Sequence, residues 1–344
     1  MAGFVWGRAH TIVAVSAAVV LVGVGSAVAL TGQGDGSGAV APPLTSASAS
    51  AAPSSSPPPG TAATPRPPAV DPLTGKKPSA AGVLAVKVEN IAAARPQVGL
   101  GSADIVFVEE VEGSLTRLVA VYHSRFPSRL GPVRSARSTD VVLLPLFGTP
   151  GLVYSGANRK VQRSIDRASI RALPRSDRDG SRVAPHNVFV DLDAIAAEAE
   201  LRPARTIGWT FAAADPRWAA APKDGDVSGR VGGDRFTFAP AGGRYVVRWN
   251  GQPYADGDSG TKATTDNVVM MSVKNAPDGN ADVNGARSVF SDTTGRGTAV
   301  IYRDGRRLTG TWQRSAPSKP LRFLDGDGRD LPLAPGRTWV LLRG

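Results

Sequence analysis

The sequence predicts an α+β protein, with a mixed α/β N-terminal domain whose sheet is covered by helices and a mostly β C-terminal domain. Runs rich in valine and isoleucine at 82–89, 104–112 and 115–123 indicate strands early in the chain. Segments with helical signals follow them. Beyond residue 223, short strands alternate with Asn-Gly and Asp-Gly turns, which are typical of hairpins.

The composition excludes several classes of chemistry. The chain has 344 residues, which is enough for two domains, and no cysteine, so it has no disulfides, thiol nucleophiles or cysteine metal ligands. A zinc site would need His123, His186 and a carboxylate to converge. Phosphate-binding loops, serine-nucleophile elbows and the H-E-x-x-H pattern do not occur. The sequence therefore predicts no metal and no cofactor.

The first 30 residues carry signals for export. Residues 1–10 are predicted to be cytoplasmic, because Arg8 and His10 precede an uncharged run at 11–30 that is long enough to span a bilayer. Ala27-Val28-Ala29 also fits a cleavage site. We expect a single-pass membrane protein with extracytoplasmic domains, or a secreted one if the segment is cleaved.

The rest of the chain divides by composition. Residues 31–70 are rich in Pro, Ser and Ala, and we interpret them as a disordered linker. The N-terminal domain is predicted at 71–222 and the C-terminal domain at 223–344. The formal net charge of +11 suits a polyanionic partner. Export favours an anionic wall polymer or a lipid-linked phosphate over nucleic acid.

The strands at 104–112 and 115–123 are predicted to form a hairpin through a two-residue turn at Gly113-Ser114. This register pairs Glu110 with Arg117 and Glu112 with Leu115. Apolar side chains occupy both faces of the hairpin, so both faces need cover, which we expect helices to provide.

Helical signals follow at two places. Arg159, Arg163, Arg167 and Arg171 recur at intervals of four and would form one basic ridge on a helix, either a solvated face or a guide for an anionic polymer. After a strand-like segment at 187–190, Asp191 is predicted to cap a helix over 192–200.

Strands of the C-terminal domain are predicted at 243–249, 267–274, 297–303, 307–312 and 338–342. Turns at Asn250-Gly251 and Asp304-Gly305 separate two pairs of strands. Trp249, Trp312 and Trp339 are predicted to be core residues, with stacking on sugars as the alternative.

The segment 131–137 (GPVRSAR), with Asp140 after it, is the strongest candidate for a site. Two guanidinium groups at close spacing form either an anion site or a structural clamp, and the sequence leaves both open. A helix from Val133, with Pro132 at its start, would place Arg134 and Arg137 on one face.

Nine short segments together resemble a bacterial envelope family of unknown function, the YerB-like lipoprotein family. They are Ala94-Arg95-Pro96-Gln97, Gly99-Leu100, Ala103-Asp104-Ile105-Val106, Glu112-Gly113, Thr116-Arg117, Gly131-Pro132-Val133-Arg134-Ser135-Ala136-Arg137, Pro185-His186-Asn187, Gly310-Thr311-Trp312 and Gly336-Arg337-Thr338-Trp339. The resemblance covers residue 71 onward and implies an exported two-domain α+β protein. It brings no established activity. Without a cysteine to carry a lipid, the chain would be anchored by its apolar segment.

Three hypotheses of function follow, and the first is favoured over an enzyme. A binding module would hold an anionic ligand, guided by the basic ridge, through Arg95, Arg117, Arg134, Ser135, Arg137, Asp140, His186 and Asn187. An envelope hydrolase or transferase would use Glu109 or Glu112 as acid or base, with His186 assisting. A scaffold would offer the edge of its β domain to another protein. The oligomeric state does not follow from the sequence.

Overall fold

The protein is described by a computed structural model that covers residues 70–225, 227–281 and 285–344. The predicted membrane segment and nearly all of the predicted linker lie outside these residues. In the part of the chain that is described, no helix has both the length and the apolar character needed to cross a membrane.

The described residues contain four α-helices and seventeen strands. The helices are α1 Ser138–Leu143, α2 Arg159–Arg167, α3 Leu192–Glu198 and α4 Pro216–Ala220. The strands are β1 Leu84–Asn90, β2 Ile105–Glu110, β3 Thr116–Tyr122, β4 Gly151–Tyr154, β5 Arg171–Pro174, β6 Val227–Val231, β7 Asp234–Ala241, β8 Arg244–Trp249, β9 Gln252–Pro253, β10 Thr264–Thr265, β11 Asn267–Ser272, β12 Lys274–Ala281, β13 Arg287–Asp292, β14 Gly295–Arg303, β15 Arg306–Arg314, β16 Arg322–Leu324 and β17 Thr338–Arg343.

Ten of these strands form one sheet, in the order β16-β15-β14-β11-β17-β2-β3-β1-β4-β5. The last strand, β17, lies parallel to both β11 and β2, with Val340 opposite Phe107. The sheet therefore runs without interruption through both predicted domains. This is an α+β fold with a mixed sheet in its first part and a mostly β second part.

Each face of the large sheet has its own core. On one face, α1 and α2 cover the sheet together with a 3-10 turn at Leu144–Phe147, and buried Val161 and Ile165 come from α2. On the other face, α3 packs beside a second sheet in the order β10-β8-β7-β6, to which β9 is added. The expected helical cover is thus present on the first face, and the second face is covered largely by strands.

The hairpin between β2 and β3 has a different register from the predicted one. Glu109 lies opposite Arg117 and Glu110 opposite Thr116. The turn contains Glu112 as well as Gly113 and Ser114, whose φ angles of 63° and 58° lie in the left-handed region. The extra residue shifts every pair by one position, so the predicted pairing of Glu110 with Arg117 is wrong.

Two helical predictions also differ from the structure. Residues 133–137 are not helical: Val133 bridges to Val88 of β1, and α1 begins only at Ser138. Proline fixes φ at a value that suits an extended segment as well as a helix start. Pro132 therefore could not show which of these two structures follows it. The helix α2 ends at Arg167, and Arg171 begins β5 instead of continuing the ridge.

Other local predictions are confirmed. Asp191 caps α3, since its carboxylate accepts a hydrogen bond from the backbone N–H of Ala194. Hairpin turns occur at both predicted places, with Trp249 opposite Gln252 and Arg303 opposite Arg306. The side chains of Trp312 and Trp339 are buried in the core, as expected, whereas Trp249 is half-buried.

Candidate functional site

A row of charged side chains crosses three neighbouring strands on the sheet face that α1 and α2 cover. Glu89 on β1 lies opposite Arg117 on β3, and Arg117 lies opposite Glu109 on β2. Lys87 precedes Glu89 by two residues and projects from the same face, because side chains alternate along a strand. The strands thus deliver four charges to one end of an otherwise apolar face.

Lys87 is the innermost member of the row, and its side chain is fully buried. Its ammonium group contacts the carboxylate of Glu109 and lies 2.7 Å from Oδ1 of Asp140 on α1. Burial raises the pKa of Glu109 to about 7, and the charge of Lys87 acts against this shift. Two carboxylates on one buried cation form a structural junction between the sheet and α1.

Arg137 immediately precedes α1 and is held by Glu112 from the β2–β3 turn. Its Nε lies 2.6 Å from Oε1 and its Nη2 lies 2.8 Å from Oε2 of that carboxylate. The Arg137 backbone N–H donates to Oδ2 of Asp140 at 2.7 Å. Burial acts to raise the pKa of Glu112, but the hydrogen bonds and charge of Arg137 outweigh it and lower this pKa. Arg137 therefore occupies its two-point fork internally.

Arg117 bridges the sheet and the segment before α1. Its Nη1 donates to the carbonyl of Ser135 at 3.0 Å, and its Nη2 lies 3.9 Å from Oε2 of Glu112. Burial, and after it the charge of Arg137, lowers the pKa of Arg117 to about 10. A buried guanidinium beside a second one is stabilised only while Glu112 and the carbonyl remain in place.

Glu89 organises the outer edge of the same row. Its Oε1 lies 3.0 Å from Nε of Arg134, and its Oε2 lies 2.9 Å from Nδ1 of His186. The Glu89 side chain is only 4% exposed, whereas Arg134 is 24% and His186 is 19% exposed. The buried carboxylate thus holds a guanidinium and an imidazole side by side at the surface.

We call these residues the charged cluster: Lys87, Glu89, Glu109, Glu112, Arg117, Arg134, Arg137 and Asp140. Its cations and carboxylates balance, so it has no formal net charge. Groups open to solvent lie mainly at the edge formed by Arg134 and His186. Among the described residues, the other nitrogens of the Arg134 guanidinium have one further hydrogen bond, from Nη1 to the carbonyl of Pro185 at 3.4 Å.

Arg95 and Asn187, which were also predicted to bind the ligand, have their partners outside the charged cluster. Arg95 is stacked between Trp249 and Tyr254, with its guanidinium carbon 4.2 Å and 4.1 Å from the two ring centroids. Burial lowers the pKa of Arg95. Asn187 is buried, and its Oδ1 accepts a hydrogen bond from Arg178 at 2.8 Å.

The sequence reasoning missed Lys87 and Glu89, although a signal was present. Both lie on one face of a strand whose other residues are apolar, in the run 82–89 (GVLAVKVE). A lysine directed into a covered face needs a carboxylate partner, and this requirement identifies the position. The described residues contain no group of His, Asp and Glu side chains able to hold a metal ion.

Two family descriptions match successive parts of the chain. The description "Protein of unknown function (DUF3048) N-terminal domain" matches residues 73–205, and "Protein of unknown function (DUF3048) C-terminal domain" matches residues 227–340. The chain belongs to the DUF3048 family. Both parts of the family occur in order, and the large sheet joins them.

The chain is similar to YerB of Bacillus subtilis in two comparisons, one of sequence and one of structure. The chain is 27% identical over 296 residues to "Putative lipoprotein YerB" of strain 168, which covers 78% of this chain and 84% of that protein. A crystal structure of YerB protein from Bacillus subtilis matches with a TM-score of 0.66 and 23% identity, covering 79% of this chain and 96% of that one. The second comparison supports the fold. The chain is therefore similar to YerB in sequence and in fold.

Proposed function

We propose that this chain is an envelope protein that binds an anionic ligand, either a wall polymer or a lipid-linked phosphate, at the edge formed by Arg134 and His186. The uncharged run at 11–30 and the linker after it support a place outside the membrane. The lipoprotein name of its Bacillus subtilis relative points to the same compartment.

The observation that carries the proposal is the bridging role of Glu89. Because its two oxygens take Nε of Arg134 and Nδ1 of His186, both side chains are fixed at a partly exposed edge. Nη2 of Arg134 and Nε2 of His186 make no hydrogen bond or ion pair with any residue that the structure describes. A guanidinium offers paired donors to a phosphate or carboxylate. The free Nε2 of the imidazole is an acceptor when the ring is neutral and a donor when it is charged.

This pair of groups suits a ligand with an anionic oxygen next to a hydroxyl group. The phosphate would lie against Arg134, and the hydroxyl against Nε2 of His186. Repeating sugar or polyol phosphates carry both groups at short separation. Arg117 and Arg137 would support this edge from within, because Glu112 and the carbonyl of Ser135 take up their donors.

The test is co-sedimentation of residues 71–344 with purified cell walls over a salt series. We expect Arg134→Gln to weaken binding at least tenfold, since one charge-assisted contact contributes about 1.5 to 3 kcal/mol. Binding of the unchanged protein should fall as salt rises, and should be lost from walls stripped of phosphopolymer.

Arg296→Gln is the matched control, because Arg296 is an exposed arginine on β14, away from the charged cluster. It removes the same charge and should leave binding unchanged. An equal loss of wall binding in both variants would show that binding depends on net charge alone. Binding that persists on stripped walls would refute the proposed ligand.

A second candidate function is hydrolysis or group transfer on a glycan or phosphodiester. The same Glu89–His186 contact favours it, because a carboxylate on Nδ1 orients Nε2 as a general base. Glu109 is fully buried against Lys87, and Glu112 is held by Arg137. Product release from digested walls by the unchanged protein, and its loss in His186→Asn, would favour this function over binding alone.

A further inference from the structure

A cavity separate from the charged cluster lies where the two matched regions meet. Loops around 98–102 and 125–129 of the first region form one side, and the loop at 256–264 of the second forms the other. Its volume of about 740 Å³ is in the range of small-molecule sites, which often lie at such junctions. Arg244 and Arg337 line it from the ends of β8 and β17.

The cavity has more cations than carboxylates on its walls. The cations are Arg125, Arg129, Arg244, Lys262 and Arg337, and the carboxylates are Asp193, Asp256 and Asp258. Asp256 is already engaged, because it accepts from the backbone N–H of Gly99 at 2.7 Å and from the N–H groups of its own loop. Arg129 is neutralised by contacts with Asp179 and Asp258. Asp256 and Asp258 therefore already have partners within the protein.

Three of the remaining cations have no partner of their own. The side chains of Arg125, Lys262 and Arg337 make no hydrogen bond or ion pair with any residue that the structure describes. Arg244 contacts Asp266, with 3.2 Å between Nε and Oδ1. Asp193 is exposed on the rim, on the first turn of α3. The walls of the cavity thus carry more positive than negative charge.

Arg337 shows the effect of this imbalance most clearly. Burial lowers its pKa, and the charge of Arg244 lowers it further, with a smaller contribution from Arg125. Asp104 and Asp266 act in the opposite direction without contacting the guanidinium. Three guanidinium groups that repel one another around a cavity are stabilised by an anion between them, and phosphate geometry matches their paired donors.

We propose that this cavity is a binding site for a phosphoryl or pyrophosphoryl group, held by Arg125, Arg244, Lys262 and Arg337. The site is independent of the edge formed by Arg134 and His186. Arg337 is part of the sequence segment Gly336-Arg337-Thr338-Trp339, to which no role has been given above. Strand β17 and the loop at 125–129 bring it together with cations from distant parts of the chain.

Titration calorimetry of the purified full-length chain with inorganic pyrophosphate tests the site. We expect the unchanged protein to bind pyrophosphate. Each of the variants Arg337→Gln, Arg125→Gln and Lys262→Gln should bind it at least tenfold more weakly. Arg125 and Lys262 are exposed, so their loss should leave the fold intact even if Arg337→Gln does not fold. Arg296→Gln, outside the cavity, is the matched control and should bind as the unchanged protein does.

The proposal is overturned if the unchanged protein does not bind pyrophosphate, or if the cavity variants bind it equally well. It is also overturned if Arg134→Gln abolishes binding and Arg125→Gln and Lys262→Gln do not, since the anion would then lie at the other edge. Farnesyl pyrophosphate titrated in parallel distinguishes the source: tighter binding than pyrophosphate indicates a lipid-linked ligand, and equal binding indicates recognition of the head group alone.

Discussion

Arg137 and Glu112 face each other in a two-point contact, with 2.6 Å between Nε and Oε1 and 2.8 Å between Nη2 and Oε2. Their side chains are only 11% and 8% exposed. This contact joins the turn after β2 to the start of α1. It makes Arg137 part of the framework of the charged cluster, and leaves Arg134 as the more accessible arginine of the segment 131–137.

The first prediction concerns this contact. Arg137→Lys keeps the charge but loses the planar fork, so Glu112 would lose one of its two contacts. We expect the free energy of unfolding to fall by about 1.5 to 3 kcal/mol, seen as a lower Tm in thermal melts. Arg134→Lys is the control, because Arg134 is more exposed and meets its carboxylate, Glu89, through one nitrogen; it should cost less than about 1 kcal/mol. Equal Tm values for the two variants would contradict the clamp.

The second prediction concerns the buried Lys87. Lys87→Met would leave the carboxylates of Glu109 and Asp140 without a cation, at a cost of about 3 to 5 kcal/mol in unfolding free energy at pH 8. Loss of the Lys87 charge would raise the pKa of Glu109 beyond its present value of about 7. An acid with a raised folded pKa loses stability as pH rises, so urea unfolding should show a smaller cost at pH 5.

A double variant provides the control for this experiment. Lys87→Met with Glu109→Gln removes one of the two buried negative charges and should recover part of the lost stability at pH 8. If the single variant is equally destabilised at pH 5 and pH 8, the loss comes from packing and not from buried charge.

Local features of the fold were predictable because short-range physics decides them. The Asn250-Gly251 turn requires left-handed residues that few sequences supply, and Asp191 marks the start of α3 by its capping chemistry. The strands rich in valine were likewise evident from their pattern. The interval of four between Arg167 and Arg171 misled, because the spacing persists by chance after α2 ends.

The composition of the site was harder to predict, since it depends on distant pairings. The segment 131–137 lies in the charged cluster, as part of a predicted site. The partner of Arg134, however, is Glu89, which lies on a strand much earlier in the chain. Lys87 was visible only as a charge inside an apolar strand. The cavity cations Arg125 and Arg337 come together through the pairing of β17 with β2, which no local pattern indicates.

The third prediction follows from that pairing. Because β17 completes the sheet beside β2, residues 71–222 alone would expose an apolar strand edge and lose part of both cores. We expect residues 71–344 to unfold in urea in one transition, by far-UV circular dichroism and by tryptophan fluorescence alike. The shorter fragment should show no cooperative transition. Two separate transitions in the longer chain would show that the regions fold independently.

The last prediction concerns pH and the pair formed by His123 and Asp71, both fully buried with 2.9 Å between Nε2 and Oδ2. Nδ1 of His123 faces the carbonyl of Gly82 at 3.2 Å. A carboxylate and a carbonyl can only accept hydrogen bonds, so this pair of partners favours the charged ring, in which both nitrogens donate. Burial opposes the charged form, but the hydrogen bond to Asp71 outweighs it and raises the pKa of His123. The same partnership lowers the pKa of Asp71 against the effect of burial.

The directions of these two pKa shifts define the pH range in which the pair stabilises the fold most. The contribution of His123 is complete below its unfolded pKa of about 6.5 and is lost as pH rises through the higher folded value. The contribution of Asp71 is complete above about pH 4 and is lost as pH falls through its lowered value. The difference in unfolding free energy between the unchanged protein and His123→Gln should therefore be largest near pH 5.5, at about 3 kcal/mol, and should shrink toward pH 9. Taking this difference cancels the pH dependence of Glu109 and of other groups that the two proteins share. If the unfolding free energies of the two proteins run parallel from pH 5.5 to pH 9, His123 is uncharged in the folded protein.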